Sequence, residues 1–210
     1  MARQVVLKRE TTEIIDHPAA QRRFKEHLTN RPDLKKLQDE AKKRGFQPKD
    51  TAQETFAFRL TAEATGPVRA PARSRGEPVQ DLEVELVGQS VTKGRNQGAV
   101  VTCTVKAGGN EETYDFYLEA PNGQFERASE WAIEDGKVVE ASSWWSAWVG
   151  CLRSKCASSC LSALWQCTGT WTAYFWCVVA KCGGCVTRCA ACSSCDCSWW
   201  CRWAAGCCDR

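Results

Sequence analysis

Cysteine is the residue type whose number and spacing most clearly indicate chemistry in this chain. Of the 15 cysteines in 210 residues, 14 lie between residues 144 and 210, together with nine of the ten tryptophans. Such a density is typical of disulfide frameworks or metal clusters. Because the number is even, complete pairing is possible. We predict disulfides that involve Cys151, Cys156, Cys160, Cys167, Cys177, Cys182, Cys185, Cys189, Cys192, Cys195, Cys197, Cys201, Cys207 and Cys208.

The spacing of these cysteines is helical. Cys156, Cys160 and Cys167 are four and seven residues apart, and the set 182, 185, 189 and 192 follows at three, four and three. These intervals place each set on one stripe of a helix. Cysteines of one stripe do not pair easily with each other, so we expect the bridges to run mostly between helices. Breaks between these helices are predicted at residues 168–170 and at Gly183–Gly184.

Two other chemistries use closely spaced cysteines. Cys182–Cys185, Cys189–Cys192 and Cys192–Cys195 are Cys-x2-Cys pairs, which are typical of zinc sites when they form two separated knuckles. Here the series is unbroken and residues 144–210 contain no histidine. A redox enzyme would place such a pair after a strand of an α/β fold, and no such pattern surrounds it. We therefore predict no metal, no cofactor and no catalytic residue, and we keep a Cys-rich metal-binding or structural protein as the alternative.

The elements before the cysteines divide into two zones. Residues 1–50 carry a net charge of +5 and form a predicted helical leader segment. Asp16 before Pro18 suits a helix start, and Gly45 suits a helix end, so we predict charged helices over 18–29 and 32–44.

Residues 51–143 carry a net charge of −6 and alternate apolar with polar side chains. Phe56–Leu60, Leu82–Leu86, Val101–Val105 and Tyr114–Leu118 show the period of half-buried antiparallel strands. We predict a small sheet of four to six strands, as a propeptide or immunity-like region, with Cys103 as a buried apolar residue. Turns are predicted at Gly108–Asn110, Asn122–Gly123 and Asp135–Gly136, and a mobile loop at Gly66–Pro78. The predicted fold class is α+β, with a disulfide-rich, mainly helical domain over 144–210.

Membrane affinity is indicated by composition. Residues 156–180 are 25 consecutive uncharged residues, but polar side chains and turns favour a compact domain over a membrane-spanning helix. Nine tryptophans are too many for a 67-residue core, so we expect several to be exposed, where their rings suit the membrane interface. The predicted membrane-contacting residues are Trp144, Trp145, Trp148, Trp199, Trp200 and Trp203.

This C-terminal zone resembles the halocin-like cysteine-rich bacteriocin precursors. The residues that carry the resemblance are Trp144-Trp145, Cys151-x4-Cys156-x3-Cys160, Cys182-Gly-Gly-Cys185-x3-Cys189-x2-Cys192 and Trp199-Trp200-Cys201-Arg202-Trp203-Ala-Ala-Gly-Cys207-Cys208, about a third of the chain. The resemblance implies that the C-terminal part is a toxic peptide and that the N-terminal part is its leader or neutralising partner. Such precursors usually carry an export signal, and none is recognisable here, because Val5-Val6-Leu7 is followed at once by Lys8.

The partners and processing follow from this interpretation. We predict cleavage between Ser143 and Trp144, by a protease not identified, and secretion by an exporter not identified. The peptide would then act on the target-cell membrane. Residues 144–210 carry a net charge of +4 and can pair with the acidic propeptide before release. The whole-chain net charge of +3 is smaller than the strongly basic charge that is typical of nucleic-acid-binding proteins, so we predict no nucleic-acid partner.

Overall fold

The computed structural model describes residues 6–48, 52–65, 79–141 and 144–195. Its centre is an antiparallel sheet in the order β1-β3-β4-β5-β6-β7-β8, with the short β2 paired to β4. The strands are β1 Val6–Ile15, β2 Gln47–Pro48, β3 Thr55–Thr65, β4 Val79–Lys93, β5 Asn96–Ala107, β6 Asn110–Ala120, β7 Ser129–Glu134 and β8 Lys137–Ala141.

The predicted turns join neighbouring strands. Gly108–Gly109 connects β5 to β6, with φ angles of 55° and 80°, and Asp135–Gly136 connects β7 to β8, with φ angles of 49° and 75°. Residues with positive φ match the twist of a two-residue hairpin, which is why glycine and aspartate occur there. Asn122–Gly123 lies instead in a short 3-10 turn within the longer link from β6 to β7. The segment predicted as a mobile loop, Gly66–Pro78, lies outside the described residues.

Two helices cover one face of the sheet. They are α1, His17–Asn30, and α2, Pro32–Lys43, close to the predicted bounds. Asp16 accepts a hydrogen bond of 2.8 Å from the backbone N–H of Ala19, and Gly45, with a φ of 91°, follows α2. The core between these helices and the sheet is formed by buried apolar side chains: Phe24, Leu34, Leu37, Phe46, Val87, Val91, Val100, Tyr117 and Trp131.

The N-terminal zone is not helical throughout, which corrects the prediction of a helical leader over 1–50. Val6–Ile15 forms the strand β1, which pairs with β3 at the edge of the sheet. An edge strand is held by backbone hydrogen bonds to one neighbour, so most of its side chains can face water. Of its described side chains only Ile15 is buried, and the period-two signal is therefore missing from the sequence.

Four further helices cover the opposite face of the sheet, and we call them the helical unit. They are α3 Trp144–Lys155, α4 Ser158–Gln166, α5 Trp171–Cys182 and α6 Gly184–Ser194. The predicted breaks are confirmed: Thr170 caps α5 through a 3.3 Å hydrogen bond from the N–H of Ala173, and Gly183, with a φ of 57°, separates α5 from α6. The α+β class and the disulfide-rich helical C-terminal region are therefore confirmed.

The strands differ from the half-buried pattern that their alternation predicts. The central strands are covered on both sides, so that Val84 and Val101 face the helical unit while Val87 and Val100 face α1 and α2. Among the described helices, none is both long and apolar enough to cross a membrane alone. Taken together, α5 and α6 reach the length and apolar composition of a membrane span, but the chain bends by 115° between them.

Candidate functional site

A ladder of disulfides holds the helical unit together. Four bridges lie within the described residues, and each encloses the next along the chain: Cys151–Cys189, Cys156–Cys185, Cys160–Cys182 and Cys167–Cys177. The first two join α3 and the residue that follows it to α6. The other two join α4 and the residue that follows it to α5. The prediction that bridges run between helices is confirmed for these pairs, and α3–α4 and α5–α6 form the two arms of a cross-linked hairpin.

The remaining cysteines fall into three groups. Cys192 and Cys195 are also disulfide-bonded. Cys197, Cys201, Cys207 and Cys208, which we predict to be bridged, lie outside the described residues. Cys103 on β5 is a free thiol, fully buried, and burial raises its pKa to about 12. It is therefore a small apolar residue of the core, as predicted.

Aromatic rings join the helical unit to the sheet, and we call this contact the aromatic seam. The ring of Trp144 stacks on Phe116 of β6, with centroids 4.2 Å apart, and Phe175 of α5 stacks on Phe56 of β3 at 4.8 Å. Tyr174 lies 4.2 Å from Phe125, which follows β6. Rings in such offset or tilted pairs add to the apolar area that they bury. The seam therefore belongs to one continuous core shared by the sheet and the helical unit.

The structure places the predicted membrane-contacting tryptophans in two groups. In the intact chain Trp144, Trp145 and Trp148 are 0%, 6% and 0% exposed, because the sheet supplies the core that residues 144–210 lack by themselves. Their contact with a membrane stays a prediction, and it applies to a helical unit separated from the sheet. Trp199, Trp200 and Trp203 lie outside the described residues. The exposed indole of the described part is Trp165, 57% exposed, which was not among the residues predicted.

Glu130 of β7 binds the first turn of α3. Its carboxylate accepts hydrogen bonds from the backbone N–H of Trp144 at 3.3 Å, from the N–H of Trp145 at 2.8 Å, and from the hydroxyl of Tyr114 at 2.9 Å. A helix N-terminus has unpaired N–H groups and a partial positive charge, which a carboxylate satisfies. Glu130 is 1% exposed. Burial raises its pKa, and the bonds from Trp145, Tyr114 and Trp144 limit the rise.

Ser90 of β4 binds the first turn of α5 in a similar way. Its hydroxyl oxygen accepts a hydrogen bond of 2.8 Å from the backbone N–H of Thr172 and lies 2.6 Å from the hydroxyl of Thr172. That threonine hydroxyl in turn donates to the carbonyl oxygen of Glu54 at 2.9 Å. Ser90 and Thr172 are both buried, so the bonds between them are shielded from water.

Glu10 of β1 lies at the start of α6. The strand changes register between Lys8 and Thr11, and Arg9 has a φ of 50°, which marks a β-bulge. Bulges redirect side chains, and here Glu10 forms an ion pair with Arg188. A Cβ built on Gly184 would lie 2.6 Å from the Glu10 carboxylate, so a larger residue there would require the Glu10 side chain to move.

In each of these three contacts a side chain of the N-terminal region lies at the start of a helix of the helical unit: a carboxylate at α3 and at α6, and a hydroxyl at α5. The residue before α6, Gly183, has no side chain that could cap this helix, whereas α5 is also capped by Thr170. Sequence reasoning missed Glu10, Ser90 and Glu130, because their partners are far along the chain. For α6 the available signal was the glycine pair at residues 183–184, which offers no side-chain cap.

Of the two predicted cleavage residues, the structure describes Trp144. Ser143 is outside the described residues, and Trp144 is the first residue of α3. The indole N–H of Trp144 donates to the hydroxyl of Ser194 at 2.7 Å, so this residue is held at both its backbone and its side chain.

No known protein family matches this chain, and comparisons with curated proteins and with solved structures found no match either.

Proposed function

We propose that this chain is the precursor of a secreted, disulfide-stapled, cationic antimicrobial peptide, a bacteriocin, in which the N-terminal region is the neutralising partner. The observation that carries the proposal is the nature of the interface. The four bridges that join described residues close within 151–189, and Cys103 is a free thiol. In the described part, non-covalent contacts therefore hold the helical unit on the sheet, and a cut near residue 143 would leave two separable parts.

Separation would expose an apolar surface. Trp144, Trp148, Trp171, Tyr174 and Phe175 are at most 1% exposed while the sheet covers them. Tryptophan rings favour the membrane interface, and each cation near an anionic lipid surface adds about 1 kcal/mol of attraction. Cross-linked arms would keep the helices in place without the sheet, which lowers the entropy lost on binding. This combination supports action on the target-cell membrane.

The proposal includes secretion after processing. Disulfides persist in oxidising surroundings, and the bridges of the helical unit are compatible with an extracellular protein. The protease and the exporter are partners that the proposal requires. The alternative remains a Cys-rich metal-binding or structural protein, and intact mass distinguishes the two: bridged cysteines each lose about one hydrogen mass, whereas a metal store keeps its thiols.

The test is a chain with a specific protease site inserted between Ala141 and Trp144. The oxidised chain is incubated with anionic and with zwitterionic vesicles before and after the cut, and co-sedimentation is measured. We expect anionic vesicles to bind the cut chain much more strongly than the intact chain, and high salt to weaken that binding. Equal binding before and after the cut, with killing activity also unchanged, would contradict the role of the N-terminal region as a neutralising partner.

Tryptophan variants of the same chain test the membrane mechanism. Replacing Trp199, Trp200 and Trp203 with Ala should lower vesicle binding and killing by the cut chain while the disulfides stay intact. Trp165→Ala is the control, because it removes one exposed indole ring outside the predicted membrane-contacting residues. A cut chain that kills cells but ignores anionic vesicles would indicate a specific receptor in place of the membrane.

A further inference from the structure

Four cysteine sulfurs meet where α3 crosses α6. The Sγ atoms of Cys156, Cys185 and Cys189 all lie within 4.8 Å of one another. Cys151 is bonded to Cys189, so its sulfur belongs to the same cluster. Two adjacent bridges, Cys151–Cys189 and Cys156–Cys185, therefore bring together four sulfur atoms from two helical segments.

We propose that the thiol form of the chain binds one zinc ion at these four cysteines. Structural zinc sites take four thiolates in a tetrahedron with Zn–S distances of about 2.3 Å, which places the sulfurs roughly 3.8 Å apart. The sulfurs of Cys156, Cys185 and Cys189 already lie within 4.8 Å of one another, and the sulfur of Cys151, once released from its bond to Cys189, would complete the set through side-chain rotation. Cys185 and Cys189 are four residues apart on α6, so both project from the same side of the helix. This arrangement differs from the Cys-x2-Cys pairs that the sequence offers.

The helices that carry the cluster are positioned without the disulfides. The indole N–H of Trp148 on α3 donates to the carbonyl oxygen of Val186 on α6 at 3.2 Å, and the indole of Trp144 donates to Ser194 at 2.7 Å. Both rings are buried between α6 and the sheet. The thiol form therefore keeps α3 beside α6, with the four sulfurs close to each other.

Oxidation would exchange the metal for the bridges. Two molecules of a small disulfide, such as oxidised glutathione, accept four electrons from the four zinc-bound thiolates. Two protein disulfides form, Cys151–Cys189 and Cys156–Cys185, and four small thiolates and one Zn²⁺ leave. The zinc ion in this scheme holds the correct pairs together before they oxidise, and it excludes wrong pairings with the other cysteines.

The experiment uses the full chain, reduced by a phosphine and freed of metal. Cobalt is added as a spectroscopic probe and is then displaced by zinc. We expect one cobalt per chain with the intense visible bands of a tetrahedral thiolate site, and displacement by an equal amount of zinc. Cys156→Ser combined with Cys185→Ser should abolish this binding. Cys167→Ser combined with Cys177→Ser, the matched control at the far end of the ladder, should leave it unchanged.

Three outcomes would overturn the proposal. The first is the absence of stoichiometric metal binding by the reduced chain. The second is metal binding that persists in the variant without Cys156 and Cys185. The third is an equal loss of metal binding in both double variants. If the reduced chain is unfolded without metal, circular dichroism decides the matter: zinc should restore helix in the wild type and in the control, and failure to do so counts against the site. Finally, oxidised glutathione should release the zinc to an indicator as Cys151–Cys189 and Cys156–Cys185 form, which removes about four hydrogen masses from these four cysteines.

Discussion

Glu130, which is buried, and Glu85, which is half-buried, show pKa shifts of opposite sign. Glu130 faces backbone N–H groups and a hydroxyl, without a cation among its hydrogen-bond donors. Burial therefore dominates and raises its pKa. Glu85 of β4 is also removed from water, which alone would raise its pKa. The ring of His27, whose Nε2 lies 3.8 Å from the carboxylate, the charge of Arg23, and hydrogen bonds from Arg59 and Arg23 together outweigh burial and lower the pKa to about 2. The surrounding donors thus decide the sign of the shift.

Glu130 should make the chain less stable as pH rises. Because its folded-state pKa lies above the ordinary 4.5, the folded chain holds this proton more tightly than the unfolded chain. The stability of the wild type relative to Glu130→Gln should be greatest below pH 4.5 and should decline as pH rises through the raised pKa. Glu130→Ala leaves the N–H groups of α3 without an acceptor and should cost about 3 kcal/mol. Urea unfolding across this pH range measures both effects, and a difference that grows with pH would contradict the assignment.

Glu85 should have the opposite pH dependence. Its carboxylate is stabilised in the folded chain, so its contribution is present above pH 4.5 and is lost as pH falls towards about 2. Glu85→Gln should cost about 3 kcal/mol at neutral pH and nothing near pH 2. Glu63→Gln is the matched control on the neighbouring strand, because its partner Arg9 is 82% exposed and the pair contributes little. A cost of Glu85→Gln that stays constant from pH 7 to pH 2 would contradict the prediction.

At the scale of elements, local sequence patterns predicted individual strands and helices, whereas contacts between residues distant in sequence determine how these elements are buried. The alternation within β3, β4, β5 and β6, and the caps of α1 and α2, depend on residues close in sequence, so they could be predicted. The strand β1 could not, because its position at the sheet edge permits charged side chains on most positions. The burial of Trp144 could not be predicted either, because Phe116, its stacking partner, is far along the chain.

Gly88 illustrates the close contact that the sheet requires at the aromatic seam. A Cβ at this position of β4 would lie 2.4 Å from the ring of Phe56, which itself stacks on Phe175 of α5. Gly88→Ala should therefore displace Phe56 and destabilise the chain by about 1–3 kcal/mol. Gly150→Ala is the control, because a Cβ there meets nothing within 4 Å and alanine favours the helix α3. Thermal unfolding of the two variants should shift in opposite directions, and equal shifts would contradict the packing argument.

The nesting of the disulfide ladder predicts nearly equal contributions from its bridges. The Cys151–Cys189 pair spans 38 residues and the Cys167–Cys177 pair spans 10. A disulfide stabilises the folded state because it reduces the conformational entropy of the unfolded chain. The stabilisation increases with the number of residues in the loop that the disulfide closes. Each outer bridge, however, closes only the short stretches between itself and the next one, because the inner bridges are already closed. Replacing either pair with Ser should cost about 2–3 kcal/mol, as measured by urea unfolding. A cost larger by more than 1 kcal/mol for the 38-residue bridge would show that the bridges act independently.

At the scale of the whole molecule, the sheet is a shared support with different helices on its two faces. On one face α1 and α2 form a core with the sheet, and on the other face the helical unit forms a larger core with it. Composition indicated a change at residue 144 but could not indicate contact across it, because cysteine and tryptophan density says nothing about which surface covers them. The interface residues Glu10, Ser90 and Glu130 belong to that contact and were missed for the same reason.

The interface between the sheet and the helical unit should resist salt. Opposite net charges of the two regions predict a Coulombic attraction, yet in the described part of the chain a single ion pair, Glu10–Arg188, joins them, with Arg188 partly exposed. The aromatic seam, by contrast, buries whole rings. Salt screens exposed charges and does not weaken apolar burial. After a cut at the inserted protease site, and without vesicles to compete for the apolar surface, the two parts should therefore stay associated in 1 M NaCl.

Two matched variants of the cut chain separate these contributions. Phe116→Ala removes the ring that stacks on Trp144 and should weaken the association by roughly 100-fold or more, since loss of a buried phenylalanine costs about 3–5 kcal/mol. Arg188→Gln removes only the ion pair and should weaken it by less than about 5-fold. Sedimentation at low and high salt measures both. If 1 M NaCl separates the wild-type parts, or if Arg188→Gln has the larger effect, charge pairing holds the helical unit and the aromatic seam does not.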